Sequence, residues 1–415
     1  MKLSFINFLC FIIVAVPTVH ANSLTLREAL ARTLSKNPRL AAESWELRIA
    51  EAKQLQAGLR PNPELAFDVQ NFLGSNKARG FQESETTLTI SQLVELGGKR
   101  AARVREAGAE RNVKLLTHEA KRLEALEVTA RSFADVLGAQ RKVERSKELS
   151  ALANELLPLI ETRLQAGKAS AAEQARGAAA AASSLALIEK ANGELAAARR
   201  HLAAQWGRSE PDFDVAVGEL SDTHKLPSLS VLRDRLADHP LITKWNAEHT
   251  KREATVSKEK AAAKSDVRVF AGPRWLNDGG GSAAVTAGVS IPLPFRNKNQ
   301  GNIKAAEAQL SQTTDEKRAE QNELNARLGE AWEKMQSAQR QLATLNDKVL
   351  PTAKSAIEAT RAGYETGKLS QLDVLDSRRV LAEAEALLLD ALIEARKASI
   401  EIEVLTGMGC GAATH

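Results

Sequence analysis

Long stretches of this chain alternate apolar and charged residues with the period of an α-helix. Leucine and alanine recur at spacings of three and four, with Glu, Lys and Arg between them, over residues 99–165 and again over 302–362. Alanine-rich stretches of the same period follow at 170–206 and 370–405. At about 1.5 Å per residue, sixty helical residues extend roughly 90 Å. The pattern predicts two very long helices, each with a returning helix, packed as a thin wall.

Two short stretches in each half of the chain change to a period of two. Leu65, Phe67 and Val69 alternate with smaller or polar neighbours, and similar alternation appears three more times. A period of two gives a strand one apolar and one polar face. We predict strands at about 64–73, 83–94, 266–276 and 283–293. A helix is predicted over 24–58, interrupted at Pro38, and an irregular link over 207–226.

The predicted strands have the length of membrane strands. About 9–11 residues cross a bilayer at a tilt. Five of the seven phenylalanines after residue 21 fall in or beside the strands, and Trp275 lies at a strand end, where interface aromatics belong. A pair of hairpins on a soluble domain is the alternative. Four strands cannot close a barrel and an open edge cannot face lipid, so membrane strands would require several chains to share one barrel.

The second half of the chain repeats the first at an offset of about 200 residues. Leu164-Gln-Ala-Gly-Lys-Ala-Ser170 recurs as Tyr364-Glu-Thr-Gly-Lys-Leu-Ser370, and Asn37-Pro38 has a counterpart in His239-Pro240. We therefore expect one domain over 22–415, built from two structural repeats at about 24–206 and 228–405. Neither repeat can fold alone, because two strands have open edges and a long helical hairpin has almost no core.

The first 21 residues have the pattern of a secretory signal. Lys2 precedes an apolar run, and Val19-His20-Ala21 is a suitable cleavage site before Asn22. Cys10 lies in this signal without the small preceding residues of a lipoprotein site, so Cys410 is the one cysteine expected in the mature chain. No later segment has the ~18 apolar residues of a transmembrane helix.

Composition argues against several classes of function. The net charge of +5 comes from interleaved charges, without a basic block for nucleic acid. The histidines have no i,i+3 or i,i+4 pair, and there is no cysteine pair, so no metal site of His, Cys or Met ligands is expected. Phosphate-binding, dinucleotide and nucleophile-elbow motifs are missing, so we expect neither an enzyme nor a cofactor.

The order of elements resembles the TolC family of outer-membrane efflux ducts. Leu24-Thr-Leu-Arg-Glu-Ala-Leu30 followed by Asn37-Pro38 is similar to the start of that family, and Ser91 to Arg100 to its strand-to-helix junction. Tyr364 to Asp376 resembles its periplasmic tip. The segment Leu293-Pro-Phe-Arg-Asn-Lys-Asn-Gln-Gly-Asn-Ile303 resembles the CzcC-like branch, the ducts of heavy-metal resistance pumps. The resemblance covers nearly all of residues 22–405.

The resemblance implies a mainly α fold with a small membrane β part. Three chains would form a homotrimer with a twelve-stranded β-barrel and a twelve-helix α-helical tunnel. Such a duct lies in the outer membrane, in contact with lipid and with most of its mass in the periplasm. It works with a periplasmic adaptor and a proton-driven inner-membrane pump of the RND type, here for heavy-metal cations.

The resemblance also suggests residues for a periplasmic gate. Acids at the positions of Asp373 and Asp376 ring the entrance in such proteins, and three copies of each would make a ring that attracts cations. Asp373 has a structural alternative, because Ser370 followed by Asp373 is a capping box. Tyr364 is either a helix-end hydrophobic residue or, as the resemblance implies, a link between the two hairpins through its hydroxyl group.

The two Gly-Lys turns are the expected contacts with the adaptor. Gly167 and Gly367 would supply the positive φ that ends a long helix, with Lys168 and Lys368 beside them. A duct for organic drugs or for type I secretion is an alternative, since selectivity resides in the pump. A periplasmic coiled-coil adaptor is an alternative of another class, which the two hairpins and four strands disfavour. A soluble coiled-coil scaffold is a further alternative, which membrane fractionation would separate from a duct.

Overall fold

The computed structural model describes residues 22–221 and 226–408. The expected signal segment 1–21 with Cys10, and also Cys410, lie outside these described residues. The helices are α1 (Leu26–Lys36), α2 (Pro38–Ala57), α3 (Lys99–Gln165), α4 (Ala171–Ala204), α5 (Leu229–Arg235), α6 (Pro240–Ala262), α7 (Gln300–Thr344), α8 (Leu350–Glu365) and α9 (Gln371–Leu405). The strands are β1 (Ser23–Thr25), β2 (Glu64–Gln70), β3 (Glu85–Val94), β4 (Val215–Val217), β5 (Val267–Leu276) and β6 (Ser282–Ser290).

The long helices pack side by side as a wall. α3 has 67 residues without a break, which corresponds to about 100 Å. α2 packs against α3, α3 against α6, and α6 against α7, while the returning helices α4 and α9 lie along their partners. None of the described helices combines the length and the apolar character needed to cross a membrane. The helical part of the fold therefore consists of two long hairpins held to each other.

The second long helix differs from the single helix predicted over 302–362. The α-helical path ends at Thr344, continues as a π-helical segment over Leu345–Val349, and resumes as α8. Pro351 is the second residue after this segment, and the residue four positions before it, Asp347, lies inside the segment. Proline has no N–H group, and its ring clashes with the carbonyl group four residues earlier, so a wider turn relieves the strain there.

The four longer strands form one antiparallel sheet in the order β2-β3-β5-β6. β2 ends at Gln70 rather than near 73, because Asn71 and Leu73 adopt positive φ angles of 55° and 60°. β3 begins at Glu85 and not at 83, after a turn in which the N–H of Ser84 donates to the carbonyl of Phe81. β6 ends at Ser290 rather than near 293, where Pro292 and Pro294 cannot donate to a ladder.

The register gives this sheet one apolar and one polar face. Leu65 pairs with Ile90, and Val269 pairs with Val289, so these side chains share a face, and all four are at least 40% exposed. The opposite face carries ion pairs between Arg268 and Glu64 and between Arg274 and Glu85. β2 and β6 are the edges of the sheet, and neither edge has a partner among the described residues.

A second, smaller sheet joins the start of the chain to the link between the repeats. β1 runs parallel to β4, with Leu24 opposite Ala216. Leu24 is fully buried in a hydrophobic cluster that includes Phe133, Leu202 and Trp206. The prediction of a helix starting at residue 24 is therefore wrong for its first two residues, and the link over 207–226 is not wholly irregular.

Candidate functional site

The two Gly-Lys turns lie where each long helix ends and its returning helix begins. Gly167 has a φ of 68° and Gly367 a φ of 75°. The next residue donates its backbone N–H back to the helix in both turns, from Lys168 to the carbonyl of Arg163 and from Lys368 to that of Gly363, each at 2.8 Å. Only glycine reaches such φ values without strain, so each glycine closes its helix. Both lysines are exposed beside these turns.

The start of α9 carries a complete capping box. Ser370 accepts from the N–H of Asp373, and the Asp373 carboxylate accepts from the N–H of Ser370 at 2.8 Å and from its hydroxyl at 2.7 Å. These hydrogen bonds hold the pKa of Asp373 below its usual value. In the other turn Ser170 caps α4 through the N–H of Glu173 at 3.2 Å. Asp373 therefore has a structural role in the single chain, as its capping pattern predicts.

Asp376 has a different environment from Asp373. It lies one turn further along α9, exposed, with Oδ1 at 2.9 Å from Nη2 of Arg379. Both of these side chains are about two-thirds exposed, at 65% and 67%. An ion pair on such a surface contributes little to stability. The carboxylate of Asp376 is thus not required for the fold of this helix.

Tyr364 lies between the two hairpins and is 1% exposed. Its ring packs with Leu156 and Ile160 of α3 and with Val374 of α9. The guanidinium carbon of Arg163 lies 4.4 Å from the centre of this ring, and Nη1 of Arg163 donates to the Tyr364 carbonyl at 2.7 Å. The hydroxyl group of Tyr364 is buried without a hydrogen-bond partner among the described residues, and burial raises its pKa. The ring and the backbone of Tyr364, rather than its hydroxyl, join the hairpins in this chain.

Two residues that sequence reasoning missed complete this junction. These residues are Arg163 and Gln371. Gln371 is 1% exposed, and its Nε2 donates to the carbonyl of Glu173 at 3.0 Å. Gly177 leaves room for it, since an added Cβ there would lie 3.2 Å from Nε2 of Gln371 and 2.7 Å from Cδ1 of Ile160. The offset of about 200 residues between the repeats was the signal that could have found these residues, because it aligns 163–177 with 363–377.

We define the tip cluster as Arg163, Tyr364, Gln371, Asp373 and Asp376. It brings together the tyrosine of one hairpin and the arginine of the other, while both carboxylates are exposed on α9. Among the described residues, no group of three or more His, Cys, Asp or Glu side chains is placed to hold a metal ion. The arrangement can fasten or release two helix ends, and it can present negative charge to solvent.

The family model described as outer membrane efflux protein matches the chain twice, over residues 29–208 and 233–408. The chain is 31% identical over 391 residues to the cobalt-zinc-cadmium resistance protein CzcC of Cupriavidus metallidurans, covering 94% of this chain and 92% of CzcC. It is 30% identical to the nickel and cobalt resistance protein CnrC of the same organism, over 68% of each chain. The crystal structure of CusC, described as forming a transmembrane channel, superposes with a TM-score of 0.78 at 19% identity, over 92% of this chain and 91% of CusC.

Proposed function

Because the chain belongs to the outer membrane efflux protein family, we propose that it is the exit duct of a tripartite efflux system for heavy-metal cations. The similarity to a cobalt, zinc and cadmium resistance protein along nearly the whole chain carries the choice of cargo. The protein lies in the outer membrane. Its proposed role is passive conduction without a catalytic step, and the energy would come from an inner-membrane pump.

The open sheet edges support a closed ring of chains. Within the chain, β3 of the first repeat pairs with β5 of the second, so the two hairpins already meet edge to edge. The remaining edges, β2 and β6, are different surfaces, and pairing them between copies is a head-to-tail contact that closes a ring. An edge that stayed open in lipid would leave amide groups unpaired. We propose three copies, which give twelve strands.

The helical wall supports the same closure. α2 lies at the side of the wall that carries β2, and α7 lies at the side that carries β6. Four large apolar side chains at the outer side of α2 and just after it are 45–72% exposed, namely Trp45, Ile49, Leu55 and Leu59. Continued exposure of such a stripe would be costly. In the proposed trimer, α2 of one chain covers α7 of the next, and the helices close into a tunnel below the barrel.

The tip cluster supports a gate at the far end of this tunnel. Asp376 is exposed and free of a structural role, so a ring of its copies can concentrate cations at a narrow opening. Tyr364 and Arg163 hold the two hairpins together and would limit how far that opening widens. The turns at Gly167 and Gly367, with exposed Lys168 and Lys368, would face the periplasmic adaptor.

The cargo is tested by deleting the gene from its host. We expect reduced growth at graded cobalt, zinc, cadmium or nickel, with higher cellular metal measured by mass spectrometry, and unchanged tolerance of organic drugs. Restoration by the wild-type gene is the positive control. Unchanged metal tolerance with lost drug tolerance would favour a duct for organic compounds. The assembly is tested separately by the mass of the detergent-extracted membrane protein, where a monomer would contradict the trimer.

A further inference from the structure

The first described residue, Asn22, is held by three hydrogen bonds to the link between the repeats. Its backbone N–H donates to Oδ2 of Asp214 at 2.9 Å, and its carbonyl accepts from the N–H of Asp214 at 2.9 Å. Its side-chain Nδ2 donates to the carbonyl of Asp212 at 2.8 Å. These contacts extend the parallel pairing of β1 and β4 by one residue. The backbone nitrogen of Asn22 thus points at a carboxylate.

This carboxylate is available for a cation. Asp212, two residues earlier, is paired with Arg32 at 3.1 Å and also accepts from Nε1 of Trp206 at 3.3 Å. For Asp214, by contrast, no Lys, Arg or His side chain within the described ranges forms an ion pair with the carboxylate. Arg199 contacts this residue, but it donates to the Asp214 carbonyl oxygen. The Asp214 carboxylate therefore receives a neutral amide N–H where it could receive a positive charge.

The predicted signal cleavage would supply that charge at the same atom. We propose that cleavage between Ala21 and Asn22 creates an α-ammonium group that the Asp214 carboxylate binds, so that processing fastens the mature N-terminus to the link between the two repeats. A signal peptidase and one water molecule suffice. Water adds to the carbonyl carbon of Ala21, the C–N bond breaks, Ala21 leaves as a carboxylate, and both protons of the water end on the nitrogen of Asn22. A charge-assisted hydrogen bond is stronger than the neutral one.

The position of this proposed ion pair would prevent the short strand β1 from fraying. β1 is short, with three residues, and Leu24 in its centre is fully buried against Phe133 and Leu202. A chain terminus frays unless it is tied down. The proposed ion pair holds the end of β1 in place and so keeps Leu24 in its cluster. It also links the start of the first repeat to the segment that leads into the second repeat.

The test measures the reactivity of the α-amino group in protein purified from outer membranes. N-terminal sequencing must first show Asn22 as the first residue, and another start overturns the proposal. An amine-reactive ester at pH 7 modifies only the neutral amine, and the labelled N-terminal peptide is quantified by mass spectrometry. An ion pair favours the ammonium form, so Asp214→Asn should label about two- to fivefold faster than wild type, the range of an exposed pair.

Two control variants separate the ion pair from general loosening of the segment. Asp212→Asn removes the neighbouring ion pair with Arg32 and leaves Asp214 intact, so labelling should stay close to wild type. A variant with Gly-Ser inserted between Ala21 and Asn22 moves the α-ammonium group away, and Asp214→Asn should then change labelling little. Equal acceleration by Asp212→Asn, or an equal effect of Asp214→Asn in the extended chain, would overturn the proposal.

Discussion

Replacement of Tyr364 by phenylalanine tests what joins the two hairpins at the tip cluster. The hydroxyl group of Tyr364 is buried without a partner among the described residues, whereas the ring contacts Arg163 and a small apolar cluster. An unsatisfied buried hydroxyl costs about 1–3 kcal/mol. Its removal should therefore leave the tip as stable as before, or more stable by about 1 kcal/mol. The ring contact with Arg163 survives in Tyr364→Phe, since phenylalanine also binds cations.

Replacement of Tyr364 by alanine is the matched perturbation. It removes a fully buried ring, with a cost of about 3–5 kcal/mol by comparison with other aromatic truncations. It also leaves the guanidinium group of Arg163 without the ring that covers it. The two hairpins should then separate at the tip, while the distant sheet stays intact.

Hydrogen exchange of the amides around residues 364–374 measures this local stability. Since about 1.4 kcal/mol corresponds to a factor of ten, Tyr364→Ala should lower protection by a factor of about 100 or more. Tyr364→Phe should preserve or raise it. In planar bilayers the alanine variant should open more often than wild type, and the phenylalanine variant should not. A loss of protection in Tyr364→Phe as large as in Tyr364→Ala would refute the reasoning and assign the junction to the hydroxyl group.

Three further predictions concern acidity, the entrance and the sheet. Burial and the charge of Arg327 lower the pKa of His239, whose Nδ1 caps α6 by accepting from the N–H of Leu241. The stability due to neutral His239 is therefore present above about pH 6.5 and is lost as the pH falls below it. Denaturant midpoints at pH 7.5 and 5.5 should differ more in wild type than in His239→Asn, and equal differences would count against this cap. Replacing both Asp373 and Asp376 by Asn should abolish the cation selectivity of the channel in planar bilayers and its block by divalent ions. Asp376→Asn alone should give most of this effect. Wild-type currents from intact trimers of the double variant would contradict the gate. Gly272→Ala places a Cβ 1.8 Å from the carbonyl oxygen of Leu88 and should abolish oligomers that resist detergent. In Gly280→Ala the added Cβ meets nothing within 4 Å, so this variant should keep them. Intact oligomers in both variants would contradict the register between β3 and β5.

The regular parts of this fold could be predicted because local patterns determine them. α3 begins at Lys99 and ends at Gln165 as its period and its glycine turn predict. The alternation of apolar residues likewise predicts the apolar face of the sheet. In both cases the periodicity is long enough to outweigh single residues, and the turn residues mark where it ends.

The remaining features depend on contacts between distant parts of the chain. β1 and β4 have three residues each and meet across about 190 positions, so neither has a period to detect. The stacking of Arg163 on Tyr364 also joins different repeats and has no local pattern. Pro351 marks an irregularity, but whether the helix kinks, stops or widens there is decided by the packing of α7 and α8 against α9. Asp373, in contrast, was recognisable as a cap because its partner is three residues away.

The unlike edges of the sheet have a genetic consequence. In the proposed trimer, each chain contributes its β2 edge to one neighbour and its β6 edge to the other. A defect in either edge would then act on a neighbour as well as on its own chain. In a cell that makes normal and edge-defective chains in equal amounts, random assembly in threes leaves only about one ring in eight without a defective member. Alleles that damage an edge but still enter rings should therefore be dominant over the normal gene. Alleles that prevent folding altogether remove their chains from the pool and should be recessive.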